Sequence, residues 1–418
     1  MTGTMPTRSS SRKRVCIVTD SPYFYPPFIG GGDVKQLSEL ASQLANRNVE
    51  VTAIARQGRP RETPSPDHSG PLRIHYVPPG GDFKGEGWAA LWPVLWFVIR
   101  MFFFLLRKRA TYDILLVSGF RTLGLSSGIV ARLTGKRCIV RIETPMDLAD
   151  TVSPESASRM GRLPHLVLTR VIRGMRRITF VLVDELVVFT DQFKTQLERL
   201  GAPPRKIRCV PNGIDIEQFT PLSADAKRTL RTCLGLPMDK LIFIYTGRIC
   251  RSKGVLDLLC SWQYLAHRQD LFLLLVGSGA DSHDSCETEA REYLRTHEGE
   301  GKITGTVDNV SEYLRASDVF IFLSHAEAFS LSIIEALATG LPSIVTNVGG
   351  APEVVRHHEW GALVDAEAPV ETITSEIKWM LSCRDAWPSM GRAARRIIVT
   401  KYAMSEIADQ YIDLFDLH

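Results

Sequence analysis

Two cations and two carboxylates stand where they could handle a phosphorylated ligand. Arg248 follows Gly247 at the end of the apolar run 241–246, and Lys253-Gly254 opens the next helical stretch. Paired cations at the carboxyl edge of a sheet can clamp a diphosphate through charge-assisted hydrogen bonds, but the same pair also reads as two solvated charges. Glu327 and Glu335 bound the segment Glu327-Ala-Phe-Ser-Leu-Ser-Ile-Ile-Glu335, just after the apolar run 319–323. One carboxylate can grip neighbouring ribose hydroxyls and the other a sugar, while the backbone N–H groups near Ser330–Ser332 open a helix whose positive end favours phosphate. The competing reading is a capping box built from Ser332 and Glu335, in which Glu335 only satisfies backbone donors. Gly30-Gly31-Gly32 lets the backbone approach an anion closely or serves as a plain turn. Val210-Pro-Asn-Gly-Ile-Asp215 is a strong turn signal and reads as a structural hinge.

These residues need a scaffold, and the alternation of apolar runs supplies one. Stretches 14–19, 49–55, 72–77, 114–117, 138–142, 185–190 and 206–210 read as strands, with helical spacing at 34–46, 124–133, 163–175 and 191–200. A second set follows a break near Pro211–Pro221: strands at 241–246, 271–276, 303–305, 319–323 and 343–346, and helices at 255–268, 287–296, 310–316 and 331–339. Strand–helix–strand rhythm implies parallel sheets covered on both faces. The expected class is therefore α/β: two Rossmann-like doubly wound domains facing across a cleft. Residues 1–13 form a disordered tail, 14–215 an N-terminal domain, 216–395 a C-terminal domain and 396–418 a closing helix. Ligands in such folds bind at the carboxyl ends of the strands, where the charged residues fall.

Bulk properties narrow the classes. A chain of 418 residues accommodates two to three domains. A net charge of +4 argues against nucleic-acid binding driven by bulk charge. The eight cysteines show neither C-x-x-C pairs nor zinc spacing and read as reduced thiols of a cytoplasmic protein. The polar, basic start lacks the apolar core of a signal peptide. The stretch 88–106, WAALWPVLWFVIRMFFFLL, carries one charge, Arg100, and precedes Arg107-Lys108-Arg109. Three readings stand: a buried helix, a bilayer span, and a helix lying in the membrane interface, anchored by tryptophans and the basic flank. With Arg170, Arg173, Arg176 and Arg177, segment 88–109 could face an anionic membrane surface.

Taken in order, these stretches resemble the retaining glycosyltransferases of the group 1 type, family 4, with the GT-B fold. The likeness continues through Ala336-Leu-Ala-Thr-Gly-Leu-Pro342, Val348-Gly-Gly-Ala-Pro-Glu-Val354 and the final helix after Tyr402, which in the family crosses back onto the first domain. The resemblance implies a nucleotide-sugar donor, no cofactor and no metal. Arg248 and Lys253 would neutralise the diphosphate as it leaves. Glu335 would hold the ribose and Glu327 the sugar, with backbone N–H groups of Phe329, Ser330 and Leu331 on sugar and phosphate. Gly31 and Gly32 would cover the diphosphate. Two departures stand out: Ala328 and Ser330 replace glycines common around this phenylalanine, and no histidine occurs near 117–120 or 141–144, where Glu143 is the substitute by position. The acceptor is unknown. A nucleotide-sugar-hydrolysing epimerase and a catalytically weak scaffold are the alternatives; no pyridoxal-binding lysine marks a phosphorylase.

Overall fold

The computed structural model describes residues 12–21, 32–57, 72–78, 88–149, 162–265, 267–280, 282–297 and 300–417. The chain divides into two compact units. The first comprises residues up to Val188 with Lys194–Val210 and the residues from Ala408 onward, and the second Phe189–Phe193 with Pro211–Ile407.

The first unit is built on β1 (Arg14–Val18), α1 (Gly32–Asn46), β2 (Glu50–Arg56), β3 (Arg73–Val77), α2 (Trp88–Arg107), β4 (Ile114–Ser118), α3 (Leu125–Thr134), β5 (Arg137–Arg141), the short α4 (Pro145–Leu148), α5 (Arg162–Leu182), β6 (Glu185–Val188), α6 (Asp191–Arg199) and β7 (Ile207–Cys209). Its seven strands run in the order β3-β2-β1-β4-β5-β6-β7, every pair parallel. β4 is buried along its whole length, as a strand covered on both faces must be. α5 continues seven residues beyond the stretch expected from spacing, because nothing between Met175 and Leu182 breaks a helix.

The second unit contains α7 (Ala224–Leu234), β8 (Leu241–Thr246), α8 (Val255–Gln263), β9 (Leu271–Val276), α9 (Glu287–Thr296), β10 (Gly301–Ile303), α10 (Val310–Ala316), β11 (Val319–Phe322), α11 (Leu331–Ala338), β12 (Ser343–Thr346), α12 (Ala351–Val354), β13 (Gly361–Val364), α13 (Val370–Ser382) and α14 (Trp387–Lys401). Its six parallel strands run β10-β9-β8-β11-β12-β13. A partly buried ion cluster pins the middle of this sheet: Asp318 accepts from Lys227 at 2.7 Å, Arg231 at 2.6 Å and the Ile242 backbone N–H at 2.7 Å. It ties α7 to the starts of β8 and β11.

The Pro-Asn-Gly segment is not left as a loose turn. Ile214 exchanges backbone hydrogen bonds with Tyr402 (2.8 Å) and Met404 (2.9 Å), and a Cβ on Gly213 would meet Met404 Cα at 2.9 Å. Arg395 donates to the carbonyls of Phe219 and Ala338, locking the stretch behind α11. The last helix, α15 (Met404–Asp416), places its residues from Ala408 in the first unit. There Arg47 pairs with Asp409 at 2.6 Å, and Arg137 donates to the Phe415 carbonyl at 2.9 Å. All eight cysteines are free.

Candidate active site

The order of the second sheet reverses between β8 and β11, so the loops leaving these neighbours diverge and open a crevice at their carboxyl ends. Those loops carry the charged residues. After β8 the chain passes through Gly247 and Arg248, whose side chain is exposed. The Arg248 carbonyl is fixed by the Tyr245 hydroxyl, which donates to it at 2.6 Å. Tyr245 is buried and stacked on Phe322, with ring centroids 5.6 Å apart. Burial pushes its phenol pKa well up, so it stays a protonated donor.

A single 3₁₀ turn, Arg251–Lys253, leads to Gly254 and the start of α8. Gly254 has φ +67°, and a Cβ there would lie 1.9 Å from the Leu323 carbonyl oxygen. Only glycine permits this turn to rest on the end of β11. The His325 N–H donates to the Ser252 carbonyl at 3.0 Å and closes the contact. As a result Lys253 Nζ sits 2.5 Å from Glu327 Oε1, with side-chain exposures of 19% and 14%. Gly254→Ala should destabilise the protein by about 2–4 kcal/mol, combining left-handed strain with overpacking. Urea denaturation of the variant checks this, since a change within 0.5 kcal/mol, about the spread of neutral surface substitutions, would contradict it.

Gly349 holds the Glu327 loop from the other side. Its φ is +54°, and a Cβ would fall 2.4 Å from the Glu327 carbonyl oxygen. The Gly350 N–H donates to the Ala328 carbonyl at 3.0 Å. Phe329 is buried against Tyr402, ring centroids 5.6 Å apart. Ser330 is the residue preceding α11, in extended conformation with no side-chain cap. The capping-box reading is therefore corrected: Ser332 is the second helical residue and Glu335 lies in the second turn, too far along to close such a box. The first N–H groups of α11, from Leu331 onward, lack intrahelical acceptors, as at any helix start. Glu335 is the sole charged residue of LSIIEALA and is 8% exposed. A carboxylate in so apolar a helix is out of place for a residue with only a packing task.

The structure thus gathers Arg248, Lys253, Glu327, Phe329, Ser330, Leu331 and Glu335 on the loops and helix starts after β8 and β11. Gly32 and Glu143 belong to the first unit. Gly32 is the first residue of α1 and is exposed, whereas Gly30 and Gly31 lie outside the described residues. Glu143 follows β5. It accepts from the Ser118 hydroxyl at 2.5 Å and lies 3.2 Å from Arg141 Nε without hydrogen-bond geometry, an ion pair at 3% and 7% side-chain exposure. Sequence reasoning passed over His325, which pairs with Asp257 of α8 at 2.7 Å. Its place directly after β11 was the available signal. Among the described residues one group offers metal-ligand chemistry, His357, His358 and Glu376. Its two imidazoles stack 3.7 Å apart, and stacked rings do not point their in-plane lone pairs at one ion.

Two family models cover the chain in succession: the family 4 glycosyltransferase model matches 30–218 and the model for group 1 glycosyl transferases matches 226–397. A D-inositol 3-phosphate glycosyltransferase from Saccharomonospora viridis is 30% identical over 80% of this chain and 77% of its own length. The chain belongs to the group 1, family 4 glycosyltransferases. A UDP-Gal:alpha-D-GlcNAc-diphosphoundecaprenol alpha-1,3-galactosyltransferase of Escherichia coli is 26% identical over 74% of this chain and 77% of that protein. HepE of Anabaena, solved with UDP-glucose, aligns with a TM-score of 0.72 at 16% identity, covering 96% of this glycosyltransferase and 99% of that chain. That likeness shows the GT-B fold.

Proposed function

We propose that this glycosyltransferase moves a hexose-type sugar, with retention of configuration, from a nucleotide-diphosphate sugar to an acceptor hydroxyl, UDP being preferred to GDP. The observation that carries the reading is the Lys253–Glu327 pair at the switch point of the second sheet, with Arg248 on the loop after β8 and Glu335 on the helix that follows β11. Arg248 and Lys253 take the diphosphate and stabilise the charge that grows on it as the glycosidic bond breaks. The N–H groups of Phe329, Ser330 and Leu331 complete the anion site, in keeping with a helix start. Glu335 accepts from the ribose hydroxyls and Glu327 from the sugar, near the reacting carbon. The cations and helix start do the work of a metal, so none is required. Retention follows when the acceptor attacks the face that the phosphate leaves, with a leaving oxygen taking the acceptor proton. From the family resemblance we assign Gly31 and Gly32 to the diphosphate and Glu143 to the acceptor or sugar. The names of the relatives, one acting with UDP-galactose on a lipid diphosphate and one bound to UDP-glucose, support UDP and a lipid-linked or cell-envelope acceptor reached from the cytoplasmic side.

Titration calorimetry with UDP, GDP, TDP and ADP tests the donor site. UDP should bind most tightly, and Glu335→Gln should weaken it about tenfold, roughly 1.4 kcal/mol, the scale of one hydrogen bond to a charged acceptor. Absence of binding by all four at millimolar concentration would remove the reading. UDP released from the UDP-sugar at full rate without any acceptor would favour the hydrolysing epimerase instead.

A further inference from the structure

The first unit carries a surface that the transferase reading leaves unused. α2 is fastened inward by Phe97, Met101 and Leu105, three fully buried residues at successive turns. Its other side exposes Trp92 (63%), Leu95, Trp96 and Phe103 (58%) to solvent. α3 packs against both α2 and α5. It exposes Ile129 and Leu133, and α5 exposes Leu166, Val167, Val171, Met175, Ile178 and Val181. Twelve of the sixteen exposed large hydrophobic residues among the described ones stand on these three adjoining helices. Apolar exposure on this scale is uncommon for a soluble monomer and marks a contact surface.

Charge says what the contact is. α2, α3 and α5 contain eight arginines and no aspartate or glutamate, in a chain whose net charge is only +4. Arg170, Arg173 and Arg177 are exposed beside the apolar residues of α5, and Lys108-Arg109 follow α2. A second protein would have to match a broad apolar face fringed by cations alone. An anionic bilayer matches both, its acyl region receiving tryptophan and leucine and its phosphates the arginines. Between α2 and α3 runs an open groove of about 710 Å³, lined by Leu95, Ile99, Phe102, Phe103, Leu125 and Ile129, with Arg121 at its wall. Among the described residues no helix is long and apolar enough to cross a membrane. With Phe97, Met101 and Leu105 buried in the first unit, α2 would lie on the membrane surface.

We propose that the α2–α3–α5 face docks on an anionic phospholipid bilayer and that the groove between α2 and α3 receives one acyl chain from it. The docking concerns the first unit alone and stands whether or not the second unit binds UDP. Its test is co-flotation of the full chain with vesicles of phosphatidylcholine, with and without 30% phosphatidylglycerol, the circular dichroism spectrum and thermal melt being measured in parallel as a check of folding. The expected result is binding at least about tenfold tighter to the anionic vesicles, since the exposed Arg170, Arg173 and Arg177 are each attracted to such a surface. The Arg170→Glu/Arg173→Glu/Arg177→Glu variant should lose that preference. The Trp92→Ser/Leu95→Ser/Trp96→Ser variant should lose flotation, and with it the quenching of tryptophan emission by brominated acyl chains. Failure of the folded wild type to float would overturn the proposal. So would equal binding to both vesicle types, unaltered binding by the variants, or a dimer in sedimentation that the serine variant abolishes.

Discussion

Lys253→Ala is expected to lower kcat by about 10²–10³-fold, the typical cost of removing one preorganised group that stabilises developing charge. The geometry explains why this lysine should matter more than the nearby cations. Gly254 presses its turn onto the end of β11, and Lys253 is held against Glu327 at 2.5 Å within a largely buried pair. A cation fixed in this way need not reorganise when the diphosphate departs, whereas the exposed Arg248 must first be ordered. Arg251 pairs instead with Glu289, both well exposed, so Arg251→Ala should leave kcat within about twofold. Steady-state kinetics with a UDP-sugar separates the cases. A Lys253→Ala enzyme with unchanged kcat and kcat/KM would place the chemistry elsewhere.

Asp318→Asn is expected to destabilise the protein by about 2–4 kcal/mol, because it leaves the buried Arg231 and the partly buried Lys227 as uncompensated cations. Lys227 also donates to the Ser317 carbonyl at 2.5 Å, and Arg231 to that of Ala316 at 2.8 Å, so neither can turn away to solvent without breaking further bonds. The same cluster sets an acid limit. Burial by itself would raise the Asp318 pKa, but the charges of Lys227 and Arg231 outweigh it and hold the carboxyl below its ordinary value. A carboxyl with a lower pKa folded than unfolded adds stability above the ordinary aspartate value of about 4. That stability drains away as pH falls through the depressed folded value. Urea midpoints from pH 6 down to pH 3 should decline in the wild type and decline less in Asp318→Asn. Parallel curves would contradict the assignment.

Much of the candidate donor site could be read from the chain because its parts follow strands. Leu241–Thr246 and Val319–Phe322 are apolar runs of strand length, so the glycines and charges after them were marked as lying at a sheet's carboxyl edge. The strand order that makes β8 and β11 neighbours is not a local property, and nothing in the spacing paired Lys253 with Glu327 across 74 residues. Ser332 and Glu335 matched a capping box by spacing alone, but a pattern carries no dihedral angles, and the N-cap is Ser330, two residues earlier. The 88–106 stretch kept three readings open for a related reason. Its hydrophobicity is nearly uniform, so burial of one side and exposure of the other depended on the neighbours α3 and β3, which composition does not reveal. α7 went unread because its face is mostly polar, its hold on the sheet coming from Lys227 and Arg231 rather than from an apolar stripe.

The central claim is that the loops after β8 and β11 hold the donor diphosphate. A crystal structure with UDP tests it most directly. The account predicts β-phosphate oxygens within hydrogen-bond reach, about 3 Å, of the Arg248 and Lys253 side chains, and ribose hydroxyls at the same distance from Glu335. UDP bound away from these three residues would contradict it.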